Sequence, residues 1–208
     1  MRLILASTSS RRRDILALLG LPFEVIAPEY KELPLPGRPL DKEVLEFAVG
    51  KAESVARDNP QSIVIGSDTM ILLDGRKIGK PDGLDDAKEI LRSLSGKTHR
   101  IFTSVAILDG LSRPSVNAVE EVSVRMRAYS DEEIERYLSA NESLDKAGAY
   151  SIQGKGRALI ESIRGDYLAA VGLPLKPIDG YLTSRGIMLS VDVEKLYSDK
   201  AFANWRSF

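Results

Sequence analysis

Short apolar runs alternate with amphipathic stretches along this chain. The segments 3–6 and 62–66 are compact apolar runs, which are typical of buried strands. Apolar residues recur at helical spacing in the segments 42–57, 85–94 and 131–138, the last of them preceded by a serine that is placed to cap it. Strands and helices mixed in this order predict an α/β fold, in the broad sense that includes mixed α+β sheets.

The first apolar run is followed directly by a polar loop and a further amphipathic segment. Ser9 or Ser10 is placed to cap a helix there, and Gly20 is placed to end it. The apolar residues of this helix that are expected to face the core are Ile15, Leu16, Leu18 and Leu19. The N-terminus therefore predicts a strand–loop–helix unit.

The rest of the chain is richer in extended segments. Alternating patterns predict strands at 100–108 and 120–127, and a short run predicts another at 158–163. The segment 174–182 is expected to be a helix opened by its first proline. The chain after 185 is weakly patterned and is expected to be either docked or partly mobile.

Two regions carry acidic side chains that are candidates for a functional site. The segment 28–39 contains four prolines and predicts a loop that carries Glu32. Asp68 is expected just past the end of the strand 62–66, and 70–73 could continue extended before a turn. Acidic side chains in such places suit a metal site or a general base.

Composition narrows the possible functions. The 208 residues suit one domain or two closely joined lobes. Twenty-nine basic and 30 acidic residues give a net charge of −1, which argues against a general nucleic-acid binder. The absence of cysteine and the presence of one histidine exclude disulfides, thiolate catalysis and multi-histidine metal sites. No apolar run approaches the roughly 20 residues of a membrane span, and the N-terminal one is too short for a signal peptide, so a cytoplasmic protein is expected.

The segment 7–13, Ser-Thr-Ser-Ser-Arg-Arg-Arg, is a candidate phosphate-binding site. A helix N-terminus presents free N–H groups and partial positive charge, which attract phosphate. Three arginines in the first turn are repelled by the positive end of the helix dipole. This arrangement is explained if an anion binds among them. A solvated basic helix start explains the same pattern equally well.

Single charged residues elsewhere are ambiguous. Asp68 suits a metal ligand or general base, but a lone aspartate more commonly caps a turn. Glu32, Lys51 and Lys80 would each, alone, be ordinary surface residues. His99 is expected to have a structural hydrogen bond. No Walker A loop or dinucleotide-binding glycine motif is present.

An ordered set of short motifs changes this picture. Residues 5–12 read Leu5-Ala6-Ser7-Thr8-Ser9-Ser10-Arg11-Arg12, which resembles the L-A-S-x-S-P-R-R opening of the Maf family of nucleoside triphosphate pyrophosphatases. The further matches, in the family's order, are Lys51-Ala52, Ser67-Asp68-Thr69, Gly79-Lys80-Pro81, Leu94-Ser95-Gly96 with His99, Asp145-Lys146-Ala147-Gly148-Ala149-Tyr150, Ile152-Gln153-Gly154, and Val171-Gly172-Leu173-Pro174-Leu175. The resemblance spans roughly residues 2 to 184.

The resemblance implies a fold, a reaction and roles for residues. The fold would be an elongated, twisted mixed sheet flanked by helices, with two lobes around a central cleft, in one domain over 1–184 followed by an extension over 185–208. Asp68 would be the proton acceptor, and Glu32 and Asp68 would hold a divalent cation, Mg²⁺ or Mn²⁺. The residues implied to bind the triphosphate are Ser7, Ser9, Arg12, Lys51 and Lys80. The family also implies a homodimer.

The resemblance also implies that three positions distinguish branches of the family. Arg11, Thr69 and Gln153 resemble the branch that hydrolyses dTTP and UTP, whereas the 7-methyl-GTP branch has tryptophan, glutamine and glutamate there. The chain departs from the family pattern at Ser10, where proline is usual, and at Ala169, where asparagine is common. The resemblance thus implies cleavage of dTTP and UTP to a monophosphate and pyrophosphate, with removal of non-standard pyrimidine nucleotides as one role.

Other functions stay open from the sequence. The same chemistry could serve 7-methyl-GTP or a broad range of nucleotides. A nucleotide-binding regulator of cell division is an alternative from a different class, and it would bind nucleotide without releasing pyrophosphate. Binding to nucleic acid or a membrane is not expected.

Overall fold

The computed structural model describes residues 2–33, 37–110 and 114–208. The strands are β1 (Arg2–Ala6), β2 (Glu24–Ile26), β3 (Ser62–Leu73), β4 (Arg76–Ile78), β5 (Thr98–Asp109), β6 (Val116–Met126) and β7 (Ile160–Arg164). The α-helices are α1 (Ser10–Ala17), α2 (Leu40–Ala56), α3 (Leu84–Leu94), α4 (Asp131–Leu138), α5 (Tyr167–Val171), α6 (Lys176–Ser184) and α7 (Val193–Ser198). Short 3₁₀ helices cover Ala147–Ala149, Lys155–Leu159 and Trp205–Ser207.

The strands of the described residues form one seven-stranded mixed sheet. Its order is β2-β1-β3-β5-β6-β7, with β4 paired to β3. β1 runs parallel to β2 and β3, whereas β4 is antiparallel to β3 and β7 is antiparallel to β6. The mixed α/β fold with a helix-flanked sheet is therefore confirmed.

The chain divides into two compact units. Unit 1 comprises Met1–Thr69, Thr103–Glu120 and Gly172–Asp199, and unit 2 comprises Met70–Phe102, Glu121–Val171 and Lys200–Phe208. The single domain over 1–184, the extension over 185–208 and the central cleft stay predictions.

The core of unit 1 lies between α2 and the parallel strands. Its fully buried apolar side chains come from α2, β1, β3 and β5, with one half-buried residue from β2. They are Ile4, Ala6, Ala52, Val55, Ala56, Val64 and Leu108, with Ile26 against them. Small alanines on α2 allow that helix to lie close to the sheet, which matters for the site below.

The helices of unit 2 show the expected local signals. α3 packs against α4 and against the 3₁₀ helix Ala147–Ala149. Ser130 caps α4, as the sequence predicts, and the structure shows that it forms a capping box with Glu133. Buried residues of α3 and α4, including Leu91 and Ile134, supply the apolar interior.

Several predicted boundaries are corrected. Asp68 does not follow a strand but lies inside β3, which runs unbroken for 12 residues. β1 pairs with β3 only as far as Gly66, and β3 continues beyond that point to pair with β4. β7 begins at Ile160, after a 3₁₀ helix, and not at 158.

Other elements differ from the sequence pattern in position or were not predicted. The proline that opens α6 is Pro177, within the helix's first two positions, and not Pro174. The short elements β2, β4, α5 and α7 were not predicted, since three to six residues carry too little periodicity. The described part of the loop over 28–39 has neither helix nor strand, and 34–36 lie outside the described residues.

Candidate active site

Lys51 and Asp68 form a buried ion pair in unit 1. The Lys51 Nζ atom lies 2.5 Å from Asp68 Oδ1 and also 2.5 Å from Glu32 Oε1. The Lys51 and Asp68 side chains are almost wholly buried, whereas that of Glu32 is about half exposed. The two predicted metal-binding carboxylates, Glu32 and Asp68, thus both contact the same ammonium group.

The packing of α2 on β3 explains how Lys51 reaches Asp68. A Cβ atom on Gly66 would lie 2.2 Å from the Ala48 carbonyl oxygen and 2.9 Å from Ala52 Cβ, so only glycine permits this approach. Lys51 lies on the same helix between these alanines. Asp68 lies two residues after Gly66 and so points to the same face of β3.

Tyr30 attaches the Glu32 loop to α2. A Cβ atom on Gly50 would lie 2.1 Å from the Tyr30 ring, so the ring lies directly over the helix backbone. Tyr30 also packs against Phe47, with ring centroids 6.1 Å apart. Because Glu32 follows Tyr30 by two residues, this contact places its carboxylate near Lys51.

The strand–loop–helix unit at the N-terminus forms as predicted. Ser9 is the N-cap of α1, and its side chain accepts a hydrogen bond from the Arg12 backbone. Ser7 is buried, and its hydroxyl accepts from the Ser9 backbone N–H at 3.2 Å. The two serines implied to bind triphosphate therefore lie in one tight loop at the start of α1.

Arg12 crosses from α1 to other parts of unit 1. Its guanidinium donates to the Gly172 carbonyl at 2.9 Å, to the Thr69 hydroxyl at 3.1 Å and to the Ser7 hydroxyl at 3.4 Å. All three acceptors are neutral. Burial lowers the pKa of Arg12, and the nearby Asp68 carboxylate opposes this effect. A desolvated guanidinium held by neutral groups is well suited to bind an anion.

Thr69 takes part in positioning Arg12. Its hydroxyl is hydrogen-bonded both to Arg12 and to Thr103, the latter at 3.2 Å. Arg11, the neighbouring specificity candidate, is half-buried on α1. Unit 1 thus contains eight of the ten predicted site residues: Ser7, Ser9, Arg11, Arg12, Glu32, Lys51, Asp68 and Thr69.

Lys80 and Gln153 belong to unit 2. Lys80 is exposed, and the preceding Gly79 accepts a hydrogen bond from the Gly148 backbone at 3.0 Å, which holds its loop. Gln153 is half-buried, and its Oε1 atom is buried without a hydrogen-bond partner among the described residues. A buried acceptor of this kind is a candidate contact for a ligand N–H.

The Asp68 carboxyl is buried among charged side chains. Burial raises the pKa of its carboxyl, and the positive charges of Lys51 and Arg12 act in the opposite direction. The Glu32 carboxylate raises the pKa further. A raised pKa means that this carboxylate binds a proton more readily than an ordinary aspartate does.

His99 has the structural role predicted for it. Its Nε2 atom lies 2.7 Å from the Tyr150 hydroxyl oxygen, within unit 2. Burial lowers the pKa of His99 to about 4. The ring is therefore neutral near pH 7.

Glu32 and Asp68 offer two carboxylates to a cation. Among the described residues, no group of three or more histidine, cysteine, aspartate or glutamate side chains could hold a metal ion. Magnesium is commonly bound by one or two carboxylates together with substrate phosphates and water. The residues present fit a cation that takes its other ligands from the substrate.

Comparison with known proteins decides the family. A family model described as Maf-like protein matches residues 2–185. The chain belongs to the Maf-like family. The predicted resemblance is thereby confirmed over its full extent. Within the described residues, no helix of this Maf-like protein is both long and apolar enough to cross a membrane.

Relatives of this Maf-like chain carry a name that matches the predicted branch. The dTTP/UTP pyrophosphatase of Dictyoglomus thermophilum is 43% identical over 188 residues, which is 90% of this chain and 97% of that protein. The dTTP/UTP pyrophosphatase of Bacillus cereus is 42% identical over 175 residues, which is 84% and 90% of the two chains. Among solved structures, the Staphylococcus aureus Ham1 protein has a TM-score of 0.42 and 14% identity over 61% of this chain and 72% of that one, a similarity too weak to support a conclusion.

Three supporting residues were not found by sequence reasoning. Gly66 permits the helix approach, Gly172 provides the carbonyl that holds Arg12 and the Ser67 hydroxyl, and Ser104 bonds to the Val44 carbonyl of α2. Gly172 lies in one of the matched family motifs, and that motif could have identified it as part of the site. Gly66 and Ser104 lie in ordinary strand patterns, so nothing local distinguishes them.

Proposed function

We propose that this protein hydrolyses dTTP and UTP to the nucleoside monophosphate and pyrophosphate. The observation that carries the proposal is the buried Lys51–Asp68 pair, with Glu32 on the same ammonium. Arg12, held by neutral acceptors, lies in the same unit. The names of the relatives support the choice of substrate.

Asp68 is proposed to accept the proton of the attacking water. The water oxygen forms a bond to the α-phosphorus, and the bond from that phosphorus to the bridging oxygen of the β-phosphate breaks. Pyrophosphate leaves with the electrons of that bond, and the water proton passes to the Asp68 carboxylate. The raised pKa of Asp68 suits this acceptance.

Cationic side chains are proposed to bind the triphosphate. A triphosphate carries about four negative charges near pH 7, and each buried charge needs compensation. Arg12, Lys51 and the exposed Lys80 supply positive charge, and the hydroxyl groups of Ser7 and Ser9 add donors. Positioning and charge stabilisation account for most of the rate in phosphoryl transfer.

A divalent cation, Mg²⁺ or Mn²⁺, is proposed to be required. Glu32 and Asp68 would hold it, and when bound it would neutralise charge on the phosphates. Lys51 forms an ion pair with each of these two carboxylates.

Base choice is proposed to depend on Arg11, Thr69 and Gln153. The buried, unpartnered Oε1 atom of Gln153 matches the N3–H group that uracil and thymine present. A site that hydrogen-bonds its ligand rejects a base that leaves buried groups unpaired. Thr69 is also bonded to Arg12, so it links base choice to phosphate binding.

The cellular location, oligomeric state and biological role are also proposed. The protein is proposed to be a cytoplasmic homodimer that acts on free nucleotides, without a nucleic-acid or membrane partner, and to remove non-standard pyrimidine nucleotides. Sedimentation of the purified protein tests the dimer. Turnover of modified uridine and thymidine triphosphates tests the cellular role.

Pyrophosphate release from a panel of nucleotides tests the reaction. The panel contains dTTP, UTP, CTP, GTP and 7-methyl-GTP, each with Mg²⁺, with Mn²⁺ and with EDTA. Metal-dependent turnover led by dTTP and UTP is the expected result. Turnover led by 7-methyl-GTP, or equal turnover of all five, rejects the substrate choice. Nucleotide binding without pyrophosphate release rejects the enzyme and favours a regulator.

A further inference from the structure

The turn that carries Gln153 is held at both ends within unit 2. The Ser151 backbone N–H donates to the Tyr137 hydroxyl at 2.9 Å. The Lys155 backbone N–H donates to the Glu142 carboxylate at 2.8 Å. These bonds place the two ends of the turn but do not reach its middle, where Gln153 lies.

Asn204, near the C-terminus, holds the middle of this turn. Its Nδ2 atom donates to the Ile152 carbonyl at 3.1 Å and to the Gly154 carbonyl at 3.0 Å. These are the carbonyls immediately before and after Gln153. An amide nitrogen has two N–H groups, so one side chain can satisfy both acceptors. The backbone on each side of Gln153 is thus bonded to a single group.

The residues around Asn204 are firmly docked in unit 2. Trp205 is buried and stacks on Tyr167, with ring centroids 5.1 Å apart and an interplanar angle of 12°. The Tyr167 hydroxyl donates to the Ala203 carbonyl at 2.6 Å. Asn204 itself has a left-handed backbone with φ of 60°, which asparagine tolerates better than most residues. The contacts on both sides fix the direction of its amide.

Arg157 adds a second anchor at the end of the chain. Its guanidinium donates to the Ser207 carbonyl at 2.8 Å and lies 4.1 Å from the centroid of the Phe208 ring. The same side chain donates to the Ile160 carbonyl at 2.9 Å. The last residues of the chain therefore bind to the segment that follows the Gln153 turn. Of the two expectations for the chain after 185, docked or partly mobile, this part of the tail is docked.

The position of Gln153 matters because its buried oxygen has no partner among the described residues. A buried unpaired acceptor is costly, and a ligand N–H relieves that cost. Uracil and thymine carry an N–H at position 3, whereas cytosine carries an acceptor there. A shift of the turn by a fraction of an ångström would weaken this distinction, because hydrogen bonds depend steeply on geometry.

We propose that Asn204 is a positioning residue for base recognition. It fixes the turn from Ile152 to Gly154, so that the Gln153 side chain meets the N3–H group of a uracil or thymine base. The C-terminal segment 200–208 thereby contributes to substrate selection. This inference rests on the proposed hydrolysis of dTTP and UTP.

The variant Asn204→Asp tests the proposal. Aspartate has the same shape and tolerates the left-handed backbone, but it places an acceptor against two carbonyl oxygens. The ratio of kcat/KM for UTP to kcat/KM for CTP is expected to fall about 10-fold, as two hydrogen bonds are lost. The change is expected mainly in KM for UTP, with kcat for UTP nearly unchanged.

Asn141→Asp is the matched control. Asn141 also lies in unit 2 with a left-handed backbone, at φ of 56°, and it is exposed. The same substitution there should leave the UTP to CTP ratio unchanged. Fluorescence of Trp205, the single tryptophan of the chain, checks in each variant that the tail stays docked.

A double variant separates positioning from general stability. Gln153→Ala alone should lower the UTP to CTP ratio, and adding Asn204→Asp should lower it no further, because the two residues act through one contact. An additive fall in the double variant would overturn the proposal. So would an unchanged ratio in Asn204→Asp.

Backbone hydrogen exchange of the turn distinguishes a failure of the Asn204 role from a failure of the proposed function. Faster backbone exchange in 151–156 is expected in Asn204→Asp compared with the wild-type protein and Asn141→Asp. If the wild-type protein releases no pyrophosphate from any triphosphate, the proposed function and the base-selection role both fail. Unchanged exchange in an active enzyme rejects only the Asn204 role and leaves the proposed function standing.

Discussion

The Lys51 ammonium lies 2.5 Å from the Asp68 carboxylate, in an ion pair whose side chains are only 9% and 8% exposed. The pair joins α2 to β3 at the point where Gly66 lets the helix approach. Since both charges are buried, each depends on the other for compensation. The proposed proton acceptor and its counter-ion are therefore also part of the protein's stability.

Asp68→Asn should abolish most of the activity. The amide has nearly the same shape but cannot accept the proton of water, so turnover of UTP should fall on the order of 10²- to 10⁴-fold. Steady-state pyrophosphate release measures this, with circular dichroism to check the fold. Asp58→Asn, on the exposed surface, is the control and should retain normal turnover. Near-normal turnover in Asp68→Asn would reject the proposed base.

Lys51→Met should destabilise the protein by about 3 kcal/mol or more, because it leaves the buried Asp68 carboxylate without its cation. Urea unfolding at pH 7 measures the free energy of unfolding. Adding Asp68→Asn to this variant removes the uncompensated charge and should restore part of the lost stability. A double variant no more stable than Lys51→Met alone would contradict this account of the pair.

His99 should titrate far below the ordinary histidine range. Burial lowers its pKa to about 4 from the ordinary 6.5, so the unfolded state binds more protons between those pH values. The contribution of His99 to stability is present above about pH 6.5 and is lost as pH falls toward 4, at a cost of about 3 kcal/mol.

The single histidine makes the His99 prediction directly measurable. One set of imidazole C–H resonances should appear in the NMR spectrum of the folded protein, with a titration midpoint near 4 or unfolding before it is reached. His99→Gln should reduce the slope of stability against pH between 4 and 6.5. A midpoint near 6.5 in the folded protein would show that the ring is accessible to water.

Gly66→Ala should separate α2 from β3. The added Cβ would lie 2.2 Å from a backbone oxygen, so the helix must move, at a cost of about 1–3 kcal/mol. Lys51 moves with the helix, so activity should fall as well. Gly180→Ala is the control, because a Cβ atom at this position would have no other atom within 4 Å. Gly180 lies inside α6, where alanine is the better helix former. The control should stabilise the protein by about 0.5–1 kcal/mol. Equal effects of the two substitutions would contradict the close approach.

Strong local signals made much of the fold predictable. Ser130 marked the start of α4, and Ser9 or Ser10 marked the start of α1, because a helix cap is recognised from a few adjacent residues. Long periodic segments located α2, β5 and β6 to within a few residues. Short strands such as β2 carry too few residues for a period to be seen, and only their pairing to β1 defines them.

The sequence by itself determined the family and the set of candidate residues, because the ordered motifs can be recognised directly in the amino-acid sequence. It also indicated that Asp68 and the first arginines were worth attention. The tertiary structure alone decided that Lys51 bonds to both Glu32 and Asp68, that Arg12 is held by Gly172 and Thr69, and that Asn204 holds the Gln153 turn. These contacts join residues 17 to 160 positions apart. Local pattern cannot specify such contacts, because they depend on how helices and strands pack and on which backbone groups that packing leaves to be bonded.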